Sequence, residues 1–179
     1  MIDADILDRL QRLEDQQAIA TLIASYGPAV DAGDADAAAR LWAADGGYDV
    51  EGWAMSGRQA VHDMVASNSH QELVARGCCH FLGPAVVKVD GDRAVAVCES
   101  LVLLRRQGRE DTNQTDSYGI WRATANHFVL ERLEGRWQIT TRTSRLLDGG
   151  RYARALLGAG LAGAAVIEPT PSEWHISND

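Results

Sequence analysis

The strongest constraint on this chain is the spacing of four strand-like runs in its second half. Cys79–Val89 passes through Asp90-Gly91-Asp92 into Arg93–Arg105, and Ser117–Leu133 passes through Glu134-Gly135 into Arg136–Leu146. Turns this short leave only antiparallel neighbours, because a parallel partner needs a long crossover. The chain ahead of them is helical. Ile6, Leu7, Leu10 and Leu13 recur at helical spacing. Ile19, Leu22 and Ile23 repeat it beyond the polar step Glu14-Asp15-Gln16-Gln17, which suggests a break there and two helices. Gly27-Pro28 disturbs the second helix, Gly33-Asp34 ends it, and Asp34 caps a short third one from Ala35 to Trp42. Tyr48–Glu51 and Trp53–Met55 read as a hairpin around Gly52. Ser56 then caps a helix from Arg58 to about Ser69.

Helices first and a long meander after them describe an α+β domain. Helices covering one face of a strongly curved antiparallel sheet leave a cone-shaped pocket. The expected organisation is one catalytic domain over residues 1–150. Residues 151–179 follow as a C-terminal helix, Arg151 to Leu157, and an extended tail with Pro169 and Pro171 that serves as lid or oligomer contact. The polar stretch Arg106–Asp116 reads as a solvated loop.

With 179 residues and 46% hydrophobic content, the chain can bury one sizeable core. A net charge of −8 with scattered arginines leaves no electrostatic footprint for nucleic acid. Cys78, Cys79 and Cys98 are odd in number and lack CxxC spacing, which speaks against a disulfide framework or a zinc site. The N-terminus is acidic, and Ala155–Ile167 carries several glycines and falls short of the roughly 20 residues of a membrane span. A cytoplasmic protein without membrane contact is expected. No phosphate loop, GxSxG elbow or HExxH occurs, so neither a metal nor a cofactor is expected.

Two polar residues stand where apolar ones are due. Asp31 ends the helical run that begins at Ala18, and a helix C-terminus is the less favourable place for negative charge. His80 lies inside the strand run Cys78–Leu82. A carboxylate can fix a neutral imidazole in one tautomer and stabilise its protonated form, so a His–Asp pair makes a general base. On the last strand, simple alternation puts Arg142 on one face with Gln138 and Thr140, opposite Trp137, Ile139 and Thr141. Asp49 and Glu51 are expected to be exposed, His127 structural, His62 and His70 in or near a surface helix, and His175 in the tail.

Several strings, in order, carry a family likeness. They are Ile19 to Asp34, Ala37-Ala38-Ala39-Arg40-Leu41-Trp42, Gly57-Arg58-Gln59-Ala60-Val61, His127-Phe128-Val129-Leu130-Glu131-Arg132 and Glu134-Gly135-Arg136-Trp137-Gln138-Ile139. Together they resemble the SnoaL-like branch of the nuclear transport factor 2-like superfamily over roughly residues 5 to 147. The resemblance implies a catalytic dyad of Asp31 and His80, at positions similar to those in lindane dehydrochlorinase, scytalone dehydratase and bile-acid 7α-dehydratase. It also implies roles for Tyr26, where the bile-acid enzyme has a catalytic tyrosine, and for Arg142, where the dehydrochlorinase has an arginine for the leaving group. Tyr48, Trp53 and Trp42 are expected to line the substrate site.

The likeness implies a cofactor-independent lyase acting on a small hydrophobic, aromatic or cyclic substrate and eliminating water, halide or a small aldehyde such as formaldehyde. An isomerase or polyketide cyclase, and an assembly subunit like the β-subunits of ring-hydroxylating dioxygenases, are the alternatives. A homotrimer is expected first and a dimer second, with the apolar segment Gly158–Val166 covering a neighbour or the pocket mouth.

Overall fold

The computed structural model describes residues 4–108 and 115–166. Most of the polar loop and the tail with Pro169, Pro171 and His175 lie outside the described residues. The fold is α+β. Helix α1 (Ala4–Asp31) and the short α2 (Ala35–Ala39) lead into strands β1 (Trp42–Val50) and β2 (Trp53–Ser56). Helices α3 (Arg58–Ala66) and α4 (Asn68–Ala75) follow, then β3 (Cys78–Leu82), β4 (Val86–Asp90), β5 (Arg93–Arg106), β6 (Ser117–Leu133), β7 (Arg136–Leu146) and α5 (Arg151–Ala162). The curved, unclosed sheet runs β2-β1-β7-β6-β5-β3, with β4 paired to the first half of β5. All neighbours are antiparallel except β1 and β7. Among the described residues no helix is long and apolar enough to cross a membrane.

The expected break in the first helix does not occur. Asp15, in the middle of the polar step, is almost wholly buried and accepts hydrogen bonds from Trp137 Nε1 (3.0 Å) and Gln11 Nε2 (3.2 Å), and its Oδ1 lies 2.7 Å from Arg132 Nη2. Burial alone would raise its pKa, but the bonds from Arg132 and Trp137 outweigh that and hold it below the ordinary carboxylate value. The polar step is therefore a tether to the sheet, and helical propensity carries the backbone through it. Gly33, at φ 70°, closes the helix, and Asp34 caps α2 by accepting from the Ala37 N–H at 2.8 Å.

Other boundaries also differ from expectation, among them the terminal helix, which runs on past Leu157 to Ala162. Trp42 begins β1 instead of ending a helix. The run Cys79–Val89 is split at Gly83-Pro84-Ala85 into β3 and β4, since proline supplies no ladder donor. Ser56 stays in β2. The expected single helix is two, divided at Ser67, whose side chain caps α4 by accepting from the His70 N–H.

The core lies between α1 and the concave face of the sheet, with Ile19, Ile23, Val30, Trp42, Phe128 and Ile139 fully or almost fully buried. What brings α1 close to β3 is Gly27. A Cβ there would sit 2.1 Å from the backbone carbonyl oxygen of His80, so only glycine permits the approach. The Gly27-Pro28 pair thus serves contact more than distortion, since the helix continues through Pro28 to Asp31.

This arrangement predicts that Gly27→Ala displaces α1 from β3 and costs at least the ~1–3 kcal/mol typical of overpacking. Gly158→Ala in α5, where a Cβ meets nothing within 4 Å among the described residues, should instead stabilise by about 0.5–1 kcal/mol. Urea unfolding of the two variants checks the contrast, and equal effects would contradict it.

Candidate active site

Asp31 holds His80 twice. Its Oδ2 accepts the backbone N–H of His80 at 2.7 Å, and its Oδ1 lies 2.7 Å from Nδ1 of the same residue. The side chains are 15% exposed for His80 and 25% for Asp31, so the pair is sheltered without being sealed. An ionised carboxylate can only accept, so in the neutral ring this contact puts the proton on Nδ1 and leaves the lone pair on Nε2. His80 lines a cavity of about 740 Å³, within the usual range for small-molecule sites. Asp31 stands behind it.

Tyr26, Tyr48 and Arg142 line the same cavity. The Arg142 guanidinium lies 4.4 Å from the ring centroids of both tyrosines and 5.2 Å from that of Phe128. Burial, then the neighbouring Tyr48, raises the pKa of Tyr26, which keeps its phenol protonated as a hydrogen-bond donor. Arg142 is only 3% exposed and has no ion-pair partner among the described residues. Its Nε and Nη2 donate to Asn126 Oδ1 at 3.2 and 2.8 Å, while Nη1 is buried without a partner. The residue thus lines the cavity with its charge almost wholly buried and one donor unpaired.

Simple alternation gave Arg142 the wrong neighbours. Leu130 pairs with Ile139 but Val129 pairs with Thr141, so Thr140 is an extra residue in β7. The bulge reverses the alternation and puts Arg142 on the helix-facing side with Trp137 and Ile139.

Trp53 stands at the cavity mouth, 59% exposed. Trp42, expected to touch substrate, does not reach the cavity. It is fully buried and packs edge-on against Tyr26 at 5.6 Å and against Tyr48 at 5.7 Å, so it supports the wall from behind. Asp49, expected to be exposed, is paired with Arg145 through contacts of 2.7 and 3.0 Å. Glu51 comes within 3.9 Å of Arg122. His127 is structural, with Nε2 2.9 Å from the carbonyl oxygen of Ala164.

Two features escape sequence reading. His70 leaves its expected surface position and stacks on His80, with ring centroids 5.6 Å apart and planes at 28°. Burial, then His80, lowers its pKa, so it stays neutral where an ordinary histidine begins to charge. The second feature is a polar strip in the cavity wall, formed by Ser100, Thr124 and Ser144 around the buried Asn126. Asn126 Oδ1 also accepts from Ser144 Oγ at 2.6 Å, its Nδ2 donates to Ser100 Oγ at 2.9 Å, and Ser100 meets Thr124 at 2.7 Å. Alternation on β6 puts Thr124 and Asn126 on one face, but only the fold shows that this face looks toward the cavity.

Asp31, Cys78 and His80 bring possible ligand atoms within 4.8 Å of one another. Nδ1 is already engaged by Asp31, and burial pushes the Cys78 thiol up to about 11, so the cluster reads as a dyad with a neutral thiol beside it.

Likeness to known proteins fixes the family. The SnoaL-like domain model matches residues 11–143. The chain belongs to the SnoaL-like family. A nuclear transport factor 2-like protein with a cystatin-like fold from Novosphingobium aromaticivorans is 42% identical, covers 88% of this chain and 98% of its own, and has a TM-score of 0.79. A protein of unknown function from Mycobacterium tuberculosis shares the fold at 22% identity and TM-score 0.64, covering 86% of this chain and 90% of its own. A candidate scytalone dehydratase from Novosphingobium aromaticivorans does so at 18% identity and TM-score 0.59, covering 75% and 85%. No curated protein matches the chain in sequence.

In this SnoaL-like chain the Asn126 carboxamide accepts two hydrogen bonds from the Arg142 fork. Asn126→Ala should therefore destabilise by about 1.5–3 kcal/mol, the scale of hydrogen bonds to a charged group. A change under about 0.5 kcal/mol in chemical denaturation, well below that scale, would show that the strip is dispensable.

Proposed function

We propose that this protein is a lyase that removes a small leaving group from an apolar, cyclic or aromatic substrate by acid–base chemistry of its own side chains. The observation that carries this reading is the double hydrogen bond from His80 to Asp31 at the wall of a largely apolar cavity. His80 Nε2 takes the proton, and Asp31 stabilises the resulting imidazolium. The electron pair of the broken bond forms the new double bond and expels the leaving group. The Arg142 guanidinium and the protonated phenol of Tyr26, which both line the cavity, stabilise the negative charge that develops. When that group is hydroxide, the His80 imidazolium can return its proton to make water, leaving the base ready for another turnover. The same groups serve halide loss. They also serve a retro-aldol cleavage of a β-hydroxy carbonyl. His80 takes the hydroxyl proton, and the oxygen pair forms the C=O of formaldehyde. The C–C pair passes into an enolate stabilised by Arg142 and Tyr26, and the His80 imidazolium returns the proton to that carbon.

An isomerase using a pocket carboxylate as base is the weaker reading, because the lining includes no Asp or Glu among the described residues. The dehydratase-like neighbours support the lyase at the level of the fold alone.

Incubation with a panel of hydroxylated and halogenated cyclic compounds, read by mass spectrometry, should show loss of water, hydrogen halide or formaldehyde. His80→Ala should lower kcat by about 10²–10⁴-fold with the circular dichroism spectrum intact. Asp31→Asn should be nearly as damaging, since an amide can hold the wrong tautomer. Turnover retained within a few-fold in both variants would place the chemistry elsewhere.

A further inference from the structure

The cavity has a charge balance opposite to that of the whole chain. The protein carries −8, yet among the described residues the ionisable groups that line the cavity include Arg76, Arg122, Arg142, His70 and His80 and no carboxylate. Asp31, which does not line it, is committed to His80. A one-signed lining of this kind focuses positive potential into a low-dielectric cleft.

The three arginines are not equivalent. Arg142 gives Nε and Nη2 to Asn126 and its third nitrogen is buried, so its fork is not open to a bidentate acceptor. Arg76 is exposed at the end of α4. Arg122 is half-buried, and its one ionic neighbour among the described residues is Glu51 at 3.9 Å, beyond hydrogen-bond length. Its planar fork is therefore open to a bidentate acceptor, the geometry a carboxylate provides.

Arg122 is also placed in register with the base. His80 on β3 pairs with Val102 on β5, and Val102 pairs with Arg122 on β6. Cross-strand partners project to one face, so His80 and Arg122 share the cavity wall two strand spacings apart, about 10 Å. Next to Arg122 the ladder slips. Val102 faces Arg122 but Leu103 faces Ile120, which leaves Trp121 as an extra residue. That bulge lets the adjacent Trp121 and Arg122 both line the cavity, where strict alternation would have turned one away. Trp121 is 54% exposed there, an apolar plane bordered by the Arg122 guanidinium 5.8 Å from its centroid.

Building on the lyase reading, we propose that the substrate is an aryl carboxylate, with its carboxylate held in the fork of Arg122, its ring against Trp121, and its reacting carbon at His80. The remote charge orients the molecule, and its binding energy is spent on holding the reacting bond at Nε2. Arg142 is left for the charge that appears only during reaction.

The test compares biphenyl-4-carboxylate with biphenyl-4-carboxamide, a neutral analogue of the same shape, by calorimetry on the full chain at low salt. The carboxylate should bind at least about tenfold more tightly, and added salt should reduce that advantage. In Arg122→Gln the ratio should collapse to within about twofold, while Arg122→Lys should keep part of it. Equal binding of the two probes, no binding of the carboxylate at millimolar concentration, or a full preference surviving in Arg122→Gln overturns the proposal. Because the comparison reads binding without turnover, its outcome is separate from that of the His80→Ala assay, which tests the lyase reading.

Discussion

One carboxylate joins the first helix of this protein to an edge strand of its sheet. Asp31 accepts from both the backbone N–H and the ring of His80, so a single side chain sets strand position, ring orientation and tautomer together. The contact depends on Gly27 one turn earlier, where the helix touches the His80 carbonyl so closely that no side chain fits. Structure and chemistry are coupled here: whatever moves α1 away from β3 also releases the base.

The remaining site depends on irregularities in the strands. A bulge at Thr140 turns Arg142 inward, and a second at Trp121 lets that residue and Arg122 face the cavity together. Buried charge is handled differently at the two ends of the core. Asp15 has a full ion pair with Arg132, as a structural tether needs. Arg142 has only a carboxamide and aromatic faces, which hold the cation without cancelling it.

The fold class was legible in the sequence because hydrophobic periodicity and turn chemistry are local signals. The long strands β5 to β7, the Gly52 hairpin and the Asp34 cap all stand where their residues place them. Asp31 and His80 were visible as polar residues in apolar positions. What failed were features decided by tertiary partners. The Glu14–Gln17 step became a tether because Trp137 and Arg132 reach it from strands more than a hundred residues away in sequence. Trp42 lies behind the wall, not in it, because β1 begins at Trp42, where a helix was expected to end. His70 and the Asn126 strip gave no signal, since bulges and helix packing fix which face looks into the cavity.

The proposed chemistry rests most directly on the protonation pattern of His80, with the proton on Nδ1 and a basic Nε2 facing the cavity. Nitrogen-15 NMR of the histidine-labelled protein at neutral to mildly alkaline pH reads the two ring nitrogens separately. His80 should show a protonated Nδ1 and a proton-free Nε2, with that preference weakened in Asp31→Asn. A His80 ring carrying its proton on Nε2, or one whose tautomer is unmoved by Asp31→Asn, would contradict this mechanism.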